Sequence, residues 1–208
     1  MKRACVILAG GLSRRFGQDK CLKELAGKPL VIHVLERIAS AVDERLIVVG
    51  SEAQHETVCR FLGLDAKVVV DRYGDGGPLI GALTGFESAG ADYALLLPCD
   101  AAFVSLKVAD LLFDLCVGRS AAIPRWPNGY VEPLQAVYDV KRAREAAKAA
   151  FDDGKRDMNA LISRLSGVRY VSTLVLQQFD EKLTTFLNIN TVNDWKRAES
   201  MLKRQGFG

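Results

Sequence analysis

Short apolar segments alternate with amphipathic segments of helical length along the first part of this chain. The apolar segments occupy residues 4–8, 45–49, 67–70 and 93–97. Between them, apolar residues recur every three to four positions, as they do in residues 30–41, which is the spacing of one helix face. This alternation predicts a mostly parallel sheet with helices on both faces. We therefore predict an α/β fold, arranged as a three-layer α/β/α sandwich.

A glycine-rich, basic segment follows the first predicted strand. It runs from Leu8 to Lys20 and reads Leu-Ala-Gly-Gly-Leu-Ser-Arg-Arg-Phe-Gly-Gln-Asp-Lys. Glycines let the backbone turn sharply and approach a ligand, inward N–H groups suit an anion, and Arg and Lys add positive charge. The segment therefore predicts a polyphosphate site. It is neither of two common phosphate loops, because Gly17 is not followed by Lys-Ser/Thr and Gly10 is adjacent to Gly11.

Acidic residues follow two further predicted strands. Asp71 comes directly after the third strand, and Asp100 follows the fourth within Pro98-Cys99-Asp100. Ligands of parallel sheets bind beyond the carboxyl ends of the strands, where these acids and the glycine-rich segment are expected to meet. A carboxylate is a hard-oxygen ligand, which Mg²⁺ prefers beside phosphates, so Asp100 has the chemistry of a Mg²⁺ ligand at a polyphosphate site.

Two local patterns elsewhere in the chain predict structure as well. Ser51 and Gln54 have the spacing of a capping box, in which Gln54 reaches back to the start of a helix. Residues 184–189 have a strand-like composition. In a strand, Asn188 and Asn190 point to one face while Ile189 enters the core.

The glycine-rich segment resembles the signature loop of the molybdenum cofactor guanylyltransferases, a family of MobA-like nucleotidyltransferases. It matches that loop at Gly10, Gly11, Ser13, Arg15, Gly17, Asp19 and Lys20. Leu97-Pro98-Cys99-Asp100 resembles the metal-binding Pro-Cys-Asp motif of the family, and Gly77-Pro78-Leu79-Ile80-Gly81 its Gly-Pro-Leu-x-Gly motif. The chain departs from the family pattern at Phe16, where Met is usual, and at Ala102, where Pro is usual.

The resemblance implies a Rossmann-like fold of the nucleotide-diphospho-sugar transferase type and a role for each matching residue. The residues implied for catalysis are Arg15, Lys20 and Asp100, with Asp100 also the metal ligand. Those implied for nucleotide binding are Leu8, Ala9, Gly10, Gly11, Ser13, Gly17, Lys20, Asp71, Pro78, Leu79 and Gly81. Those implied for the acceptor are Arg156, Asn188 and Asn190.

The implied reaction is transfer of GMP from GTP to the terminal phosphate of a molybdopterin-type acceptor, with release of pyrophosphate and Mg²⁺ as cofactor. Two alternatives stay open. One is a CTP- or sugar-phosphate-directed nucleotidyltransferase of the same fold. The other is a GTP-binding module without turnover, which the change at Ala102 leaves open.

The composition of the chain bears on its binding partners and on its cellular location. The 28 basic and 25 acidic residues leave a net charge of +3, which is too balanced to indicate nucleic acid binding. Five cysteines without a Cys-x-x-Cys pair indicate reduced thiols and a cytoplasmic location. No apolar run approaches the roughly 18 residues that span a membrane. The resemblance leaves room for transient contact with cofactor-biosynthesis proteins or molybdoenzymes, and monomer and homo-oligomer both stay open.

The length of the chain predicts one domain covering residues 1–208. Within it, about residues 1–125 are expected to bind the nucleotide, and about residues 126–208 are expected to bind the acceptor.

Overall fold

The structure, a computed structural model, describes residues 1–10, 20–62, 66–74 and 76–204. Nine strands are present within these residues. They are β1 (Arg3–Leu8), β2 (Glu24–Leu25), β3 (Lys28–Pro29), β4 (Glu44–Val49), β5 (Lys67–Val70), β6 (Tyr93–Pro98), β7 (Ala121–Arg125), β8 (Ala136–Asp139) and β9 (Val168–Ser172).

Helices separate most of these strands. The α-helices of the described residues are α1 (Leu30–Ile38), α2 (Glu52–Leu62), α3 (Pro78–Ser88), α4 (Leu106–Cys116), α5 (Val140–Asp152), α6 (Met158–Ile162), α7 (Thr173–Leu176) and α8 (Val192–Arg204). Two short 3₁₀ helices cover Lys20–Leu22 and Thr184–Phe186. In this part of the chain, no helix has the length and apolar character needed to cross a membrane.

Seven of the strands form one sheet in the order β5-β4-β1-β6-β8-β7-β9. The strands β5, β4, β1 and β6 run parallel to one another, and β7 runs parallel to β9. Only β8 among the seven is reversed, because it pairs antiparallel with both β6 and β7. The mostly parallel sheet predicted from the alternating segments is therefore confirmed.

Apolar side chains pack on both faces of this sheet, as the alternation along β1 shows. Cys5 and Ile7 of β1 pack in a cluster with α1, α2 and α4, whereas Ala4 and Val6 pack in a second cluster with α3, α5 and α6. The predicted three-layer α/β/α arrangement is thus confirmed. Gly85 allows α3 to approach β1 closely, since a Cβ there would lie 2.3 Å from Cγ1 of Val6.

The strand predicted for residues 184–189 is wrong. The chain forms the 3₁₀ helix Thr184–Phe186 and then continues without regular structure to residue 190. The reason is local: the Asp180 carboxylate accepts hydrogen bonds from the Thr185 N–H and from the hydroxyls of Thr184 and Thr185. Such bonds compete with a sheet ladder. Ile189 is nevertheless buried, in a third apolar cluster that also contains Leu25 and Leu202.

All five cysteines are free thiols, and four of them are buried, the exception being Cys59. Burial raises the pKa of Cys116 to about 12 and raises the pKa of Cys99 well above the usual value of 9.0. Cys99 therefore stays protonated at neutral pH and adds no negative charge beside Asp100.

Candidate active site

The carboxyl ends of β1, β4 and β6 open into a cleft of about 670 Å³. Eight of its 17 lining residues are Gly, Ala or Ser, whose small side chains leave room for a ligand. The lining residues are Leu8, Gly10, Val48, Val49, Gly50, Ser51, Ala53, Gln54, Thr57, Asp71, Gly74, Gly76, Gly77, Pro78, Gly81, Pro98 and Leu134. The cleft thus lies where ligands of parallel sheets usually bind.

Two glycines bring the loops after β1 and β4 into backbone contact at one end of the cleft. A Cβ on Gly10 would lie 3.1 Å from the nitrogen of Gly50, and a Cβ on Gly50 would lie 3.0 Å from the carbonyl oxygen of Gly10. Both distances are shorter than ordinary van der Waals contact. Neither glycine can therefore be replaced without moving a loop that borders the cleft.

The capping box predicted at the start of α2 is half right. Ser51 Oγ accepts a hydrogen bond from the N–H of Gln54 at 3.2 Å, as predicted. The Gln54 side chain, however, reaches past Ser51, and its Oε1 accepts from the N–H of Gly50 at 2.8 Å. Since Gly50 directly follows β4, the side chain fastens the end of that strand to α2.

Lys20 joins two segments that lie far apart in the chain. Its ammonium group donates a hydrogen bond to Oδ2 of Asp100 and another to Oδ1 of Asn190, the latter at 2.6 Å. The side chains of Lys20 and Asp100 are only 14% and 8% exposed. Charges held out of water need partners, and each of these two compensates the other. The result is a fixed cation beside a fixed carboxylate at the end of β6.

The turn that carries Asp100 is held by hydrogen bonds and by burial. The N–H of Cys99 donates to the carbonyl of Leu8, at the end of β1, and the N–H of Ala101 donates to the carbonyl of Pro98. Ala102 and Phe103 are buried against the third apolar cluster. The turn is therefore fixed by packing at the position where the resembling family usually has proline.

Asp71 follows β5 and lies in the cleft wall. Its Oδ1 accepts hydrogen bonds from the N–H of Tyr73 and the hydroxyl of Thr84, both at 3.1 Å. Its own N–H donates to the carbonyl of Val49 at 2.8 Å. These bonds orient the carboxylate toward one fixed position at the cleft, so it can serve as an acceptor for a ligand donor.

The start of α3 forms the next part of the wall, and Arg156 packs against it. Gly77 has a φ of 112°, and a Cβ there would lie 3.1 Å from the carbonyl oxygen of Arg156. The Arg156 guanidinium donates to the carbonyl oxygens of Phe151 and Lys155 and lies 4.6 Å from the Phe151 ring centre. The structure thus places Arg156 beside the segment that holds the predicted nucleotide residues Pro78, Leu79 and Gly81, although its implied role is on the acceptor side.

Asn188 and Asn190 have different partners, because their segment is not a strand. Asn190 is exposed and contacts Lys20, whereas Oδ1 of Asn188 accepts from Nε2 of Gln135 at 3.3 Å. Gln135 is buried and also donates to the carbonyl of Thr185 at 2.9 Å. Sequence reasoning missed Gln135; the one available signal was an amide directly before an apolar strand.

Comparison with known proteins agrees with this architecture. The family model of the MobA-like NTP transferase domain matches residues 5–168. The chain belongs to this family.

Relatives of this MobA-like transferase share most of its length. A protein of Methanosarcina mazei named "Probable molybdenum cofactor guanylyltransferase" is 35% identical over 197 residues, which are 92% of this chain and 88% of that protein. A protein of the same name from Bacillus cereus is 30% identical over 202 residues, which are 97% and 98% of the two chains.

Solved structures agree with the fold. The crystal structure of molybdopterin-guanine dinucleotide biosynthesis protein A from Archaeoglobus fulgidus superposes with a TM-score of 0.83 at 30% identity, covering 97% of this chain and 99% of that chain. A 4-diphosphocytidyl-2C-methyl-D-erythritol synthase from Anaerococcus prevotii gives a TM-score of 0.72 at 14% identity, covering 98% and 99% of the two chains. At that identity the likeness shows the fold alone.

The fold of this MobA-like transferase gathers most of the described members of the predicted site in two groups. Leu8, Gly10, Asp71, Pro78 and Gly81 line the cleft. Lys20, Asp100 and Asn190 form the hydrogen-bonded group at the end of β6. Ala9 is buried and Leu79 packs into the core. Arg156 and Asn188 belong to neither group, because their side chains bond to other partners. Gly11, Ser13, Arg15 and Gly17 lie outside the described residues.

Proposed function

We propose that this chain transfers GMP from GTP to the terminal phosphate of a molybdopterin-type acceptor. The observation that carries the proposal is the contact of Lys20 with both Asp100 and Asn190 beside the cleft. The choice of GTP as nucleotide and of molybdopterin as acceptor rests on membership of the MobA-like family and on the names of the relatives from Methanosarcina and Bacillus.

The proposed chemistry needs no covalent intermediate on the protein. An oxygen of the acceptor phosphate attacks the α-phosphorus of GTP, a new phosphoanhydride bond forms, and the bond to the β-phosphate oxygen breaks to release pyrophosphate. Lys20, together with Arg15 and the backbone N–H groups of residues 10–17, is assigned to the phosphates. Catalysis then consists of positioning and charge stabilisation by these groups.

Mg²⁺ is the proposed cofactor, and the donor set present fits it. Asp100 offers a carboxylate, and the amide oxygen of Asn190 lies at the same ammonium group. Mg²⁺ takes hard oxygen ligands, usually one or two carboxylates, with phosphates and water for the others. When bound, the ion neutralises charge on the triphosphate and on the departing pyrophosphate. Asp100 is the residue proposed to hold it.

The two parts of the chain are proposed to divide the substrates. All cleft-lining residues except Leu134 come from residues 8–98, which favours nucleotide binding by about residues 1–125. Gln135, Asn188 and Asn190 belong to residues 126–208, the proposed acceptor part. We also propose a cytoplasmic location, because the thiols are unpaired, and transient contact with proteins that supply or receive the cofactor.

Calorimetric titration of GTP, CTP, ATP and NAD⁺, with and without Mg²⁺, tests the nucleotide assignment. We expect preference for GTP, strengthened by Mg²⁺, and weaker binding by Lys20→Met. Pyrophosphate release with a molybdopterin acceptor then tests turnover. Preference for CTP would assign a sister activity on the same fold, GTP binding without turnover would indicate a binding module, and binding of NAD⁺ alone would contradict the nucleotidyltransferase assignment.

A further inference from the structure

Gln54 is a buried polar side chain in the first turn of α2, with 7% of its surface exposed. Its amide makes three contacts with other segments. Oε1 accepts from the N–H of Gly50 at 2.8 Å, and Nε2 donates to the carbonyl oxygen of Ala9 at 2.7 Å. The same nitrogen lies 3.7 Å from Sγ of Cys21. Both N–H groups of the amide therefore have protein acceptors.

The three partners of Gln54 lie near the two ends of the glycine-rich segment and in the loop after β4. Ala9 directly precedes Gly10, the first glycine of the glycine-rich segment, and Cys21 directly follows Lys20, the last residue of that segment. We call Ala9 and Cys21 the flanks of the segment. Gly50 lies in backbone contact with Gly10. One amide group thus connects both flanks of the glycine-rich segment to the loop after β4.

This connection bears on the position of Lys20. Cys21 lies in the 3₁₀ helix that begins at Lys20, and this helix carries the ammonium group that contacts Asp100 and Asn190. Because Gly10 and Gly50 are in close backbone contact, a movement of the Ala9 flank toward Gly50 also has to move the loop after β4. The distance between the flanks therefore depends on the group that joins them.

We propose that Gln54 is a positioning residue for nucleotide transfer: its amide holds both flanks of the glycine-rich segment in the arrangement that binds a nucleoside triphosphate. This inference rests on the proposed function and deepens it. Gln54 acts through the loops that it holds, because its N–H groups are already bonded to Ala9 and Cys21. It is therefore distinct from the residues assigned to the phosphates and the metal.

Two substitutions of similar length separate this role from simple packing. Gln54→Met keeps the volume and removes every hydrogen bond, which leaves the Ala9 carbonyl and the Gly50 N–H without this partner. Gln54→Glu keeps an acceptor for Gly50 but cannot donate to Ala9 or Cys21 when ionised. The matched control is Glu56→Met, which places the same side chain on the exposed face of the same helix.

The measurements are the calorimetric dissociation constant and stoichiometry for GTP with Mg²⁺, followed by KM and kcat. We expect Gln54→Met to weaken GTP binding by about 10-fold or more, since small displacements of binding groups are costly. The binding stoichiometry of this variant and its KM for the acceptor are expected to stay near the values of the unmodified protein. Glu56→Met should leave the GTP constant within about twofold. If Gln54→Met does not fold, Gln54→Glu is expected to show the same loss and carries the test.

The outcomes separate this inference from the proposed function. An unchanged dissociation constant with a reduced stoichiometry would mean that Gln54 supports folding only, and the inference would be overturned. If the unmodified protein prefers CTP, the guanylyl proposal fails, and the ratio between variant and unmodified protein is measured with CTP. If it binds no triphosphate, both proposals are overturned.

Discussion

Lys20 donates a hydrogen bond to Asp100, although 80 positions separate them in the chain. The pair forms because Lys20 follows the loop after β1, Asp100 follows β6, and these two strands are parallel neighbours in the sheet. Parallel neighbours bring their carboxyl ends to one edge. The fold therefore holds together the cation that we propose for the phosphates and the carboxylate that we propose for the metal.

The first prediction concerns Asp100→Ala. We expect kcat to fall by at least about 100-fold, because the variant loses the carboxylate assigned to the metal and leaves Lys20 without its buried partner. Pyrophosphate release with Mg²⁺ measures the rate, and circular dichroism checks that the protein is folded. Asp114→Ala is the control: Asp114 pairs with Arg3 on the surface, 69% exposed, and its loss should change the rate by less than about twofold. A near-normal rate for Asp100→Ala would exclude Asp100 as an essential ligand.

The second prediction concerns Gln135→Leu, which removes the donor to Asn188. The amide of Asn188 is then free to rotate, and the buried Thr185 carbonyl loses a partner. We expect KM for the acceptor to rise by about 10-fold, as loss of a group that orients a binding residue commonly does. KM for GTP should stay within about twofold. An equal rise in both KM values would show a general disturbance of the cleft and would count against Asn188 as an acceptor residue.

The sequence predicted those parts of the fold that depend on local pattern. The strands β1, β4, β5 and β6 were predicted from short apolar runs. The proximity of Asp100 to the glycine-rich segment that ends at Lys20 was predicted because both follow strands of a parallel sheet. The strand predicted at 184–189 was wrong because Asp180, a few residues earlier, captures the polar groups of Thr184 and Thr185. Hydrogen bonds of this kind, from a side chain to nearby polar groups, do not appear in the periodic pattern of apolar residues.

Gln54 shows a different limit of sequence reasoning. The capping spacing to Ser51 was visible, but its partner Ala9 is 45 positions away, and only the folded sheet brings β1 and β4 side by side. The sequence does not distinguish a buried glutamine from an exposed one, so the role of Gln54 is inferred from its contacts in the folded protein.

The third prediction concerns pH and the start of α8. Oδ2 of Asp194 accepts hydrogen bonds from the Thr191 hydroxyl and from the N–H groups of Thr191 and Asn190. These bonds, chiefly that from the Thr191 hydroxyl, hold the pKa of Asp194 below its usual value of 3.8. A lowered folded-state pKa contributes stability that is present above about pH 3.8 and is lost as the pH falls through the folded pKa.

The variant Asp194→Ala tests whether the stability contributed by Asp194 is lost on acidification. At pH 7 we expect a loss of about 1 kcal/mol in the free energy of unfolding, which is typical of a lost helix cap. For a chain of this size the loss corresponds to a fall of about 2–4 °C in Tm. Thermal unfolding at neutral pH and at about pH 3 should show that the difference between variant and unmodified protein shrinks on acidification. A difference of the same size at both pH values would contradict the assigned cap.

The fourth prediction concerns the contact between Gly85 and Val6. An added Cβ at Gly85 would lie 2.3 Å from Cγ1 of Val6, so Gly85→Ala overfills the space between α3 and β1. Overfilling a packed core costs about 1–3 kcal/mol, whereas alanine in place of glycine favours a helix interior by about 1 kcal/mol. With Val6 present we expect the steric cost to win, and chemical denaturation should show a net loss of stability.

Val6→Ala reveals the cause of that loss. It costs stability on its own by leaving a cavity, but it also removes Cγ1, the atom that a Cβ added at position 85 would strike. In the Val6→Ala background, Gly85→Ala should therefore become neutral or stabilising, because only the helix preference and the filled space remain. The double-mutant cycle measures this reversal as a favourable coupling free energy between the two positions. If the two substitutions instead add, the close approach of α3 to β1 is not what requires glycine at position 85.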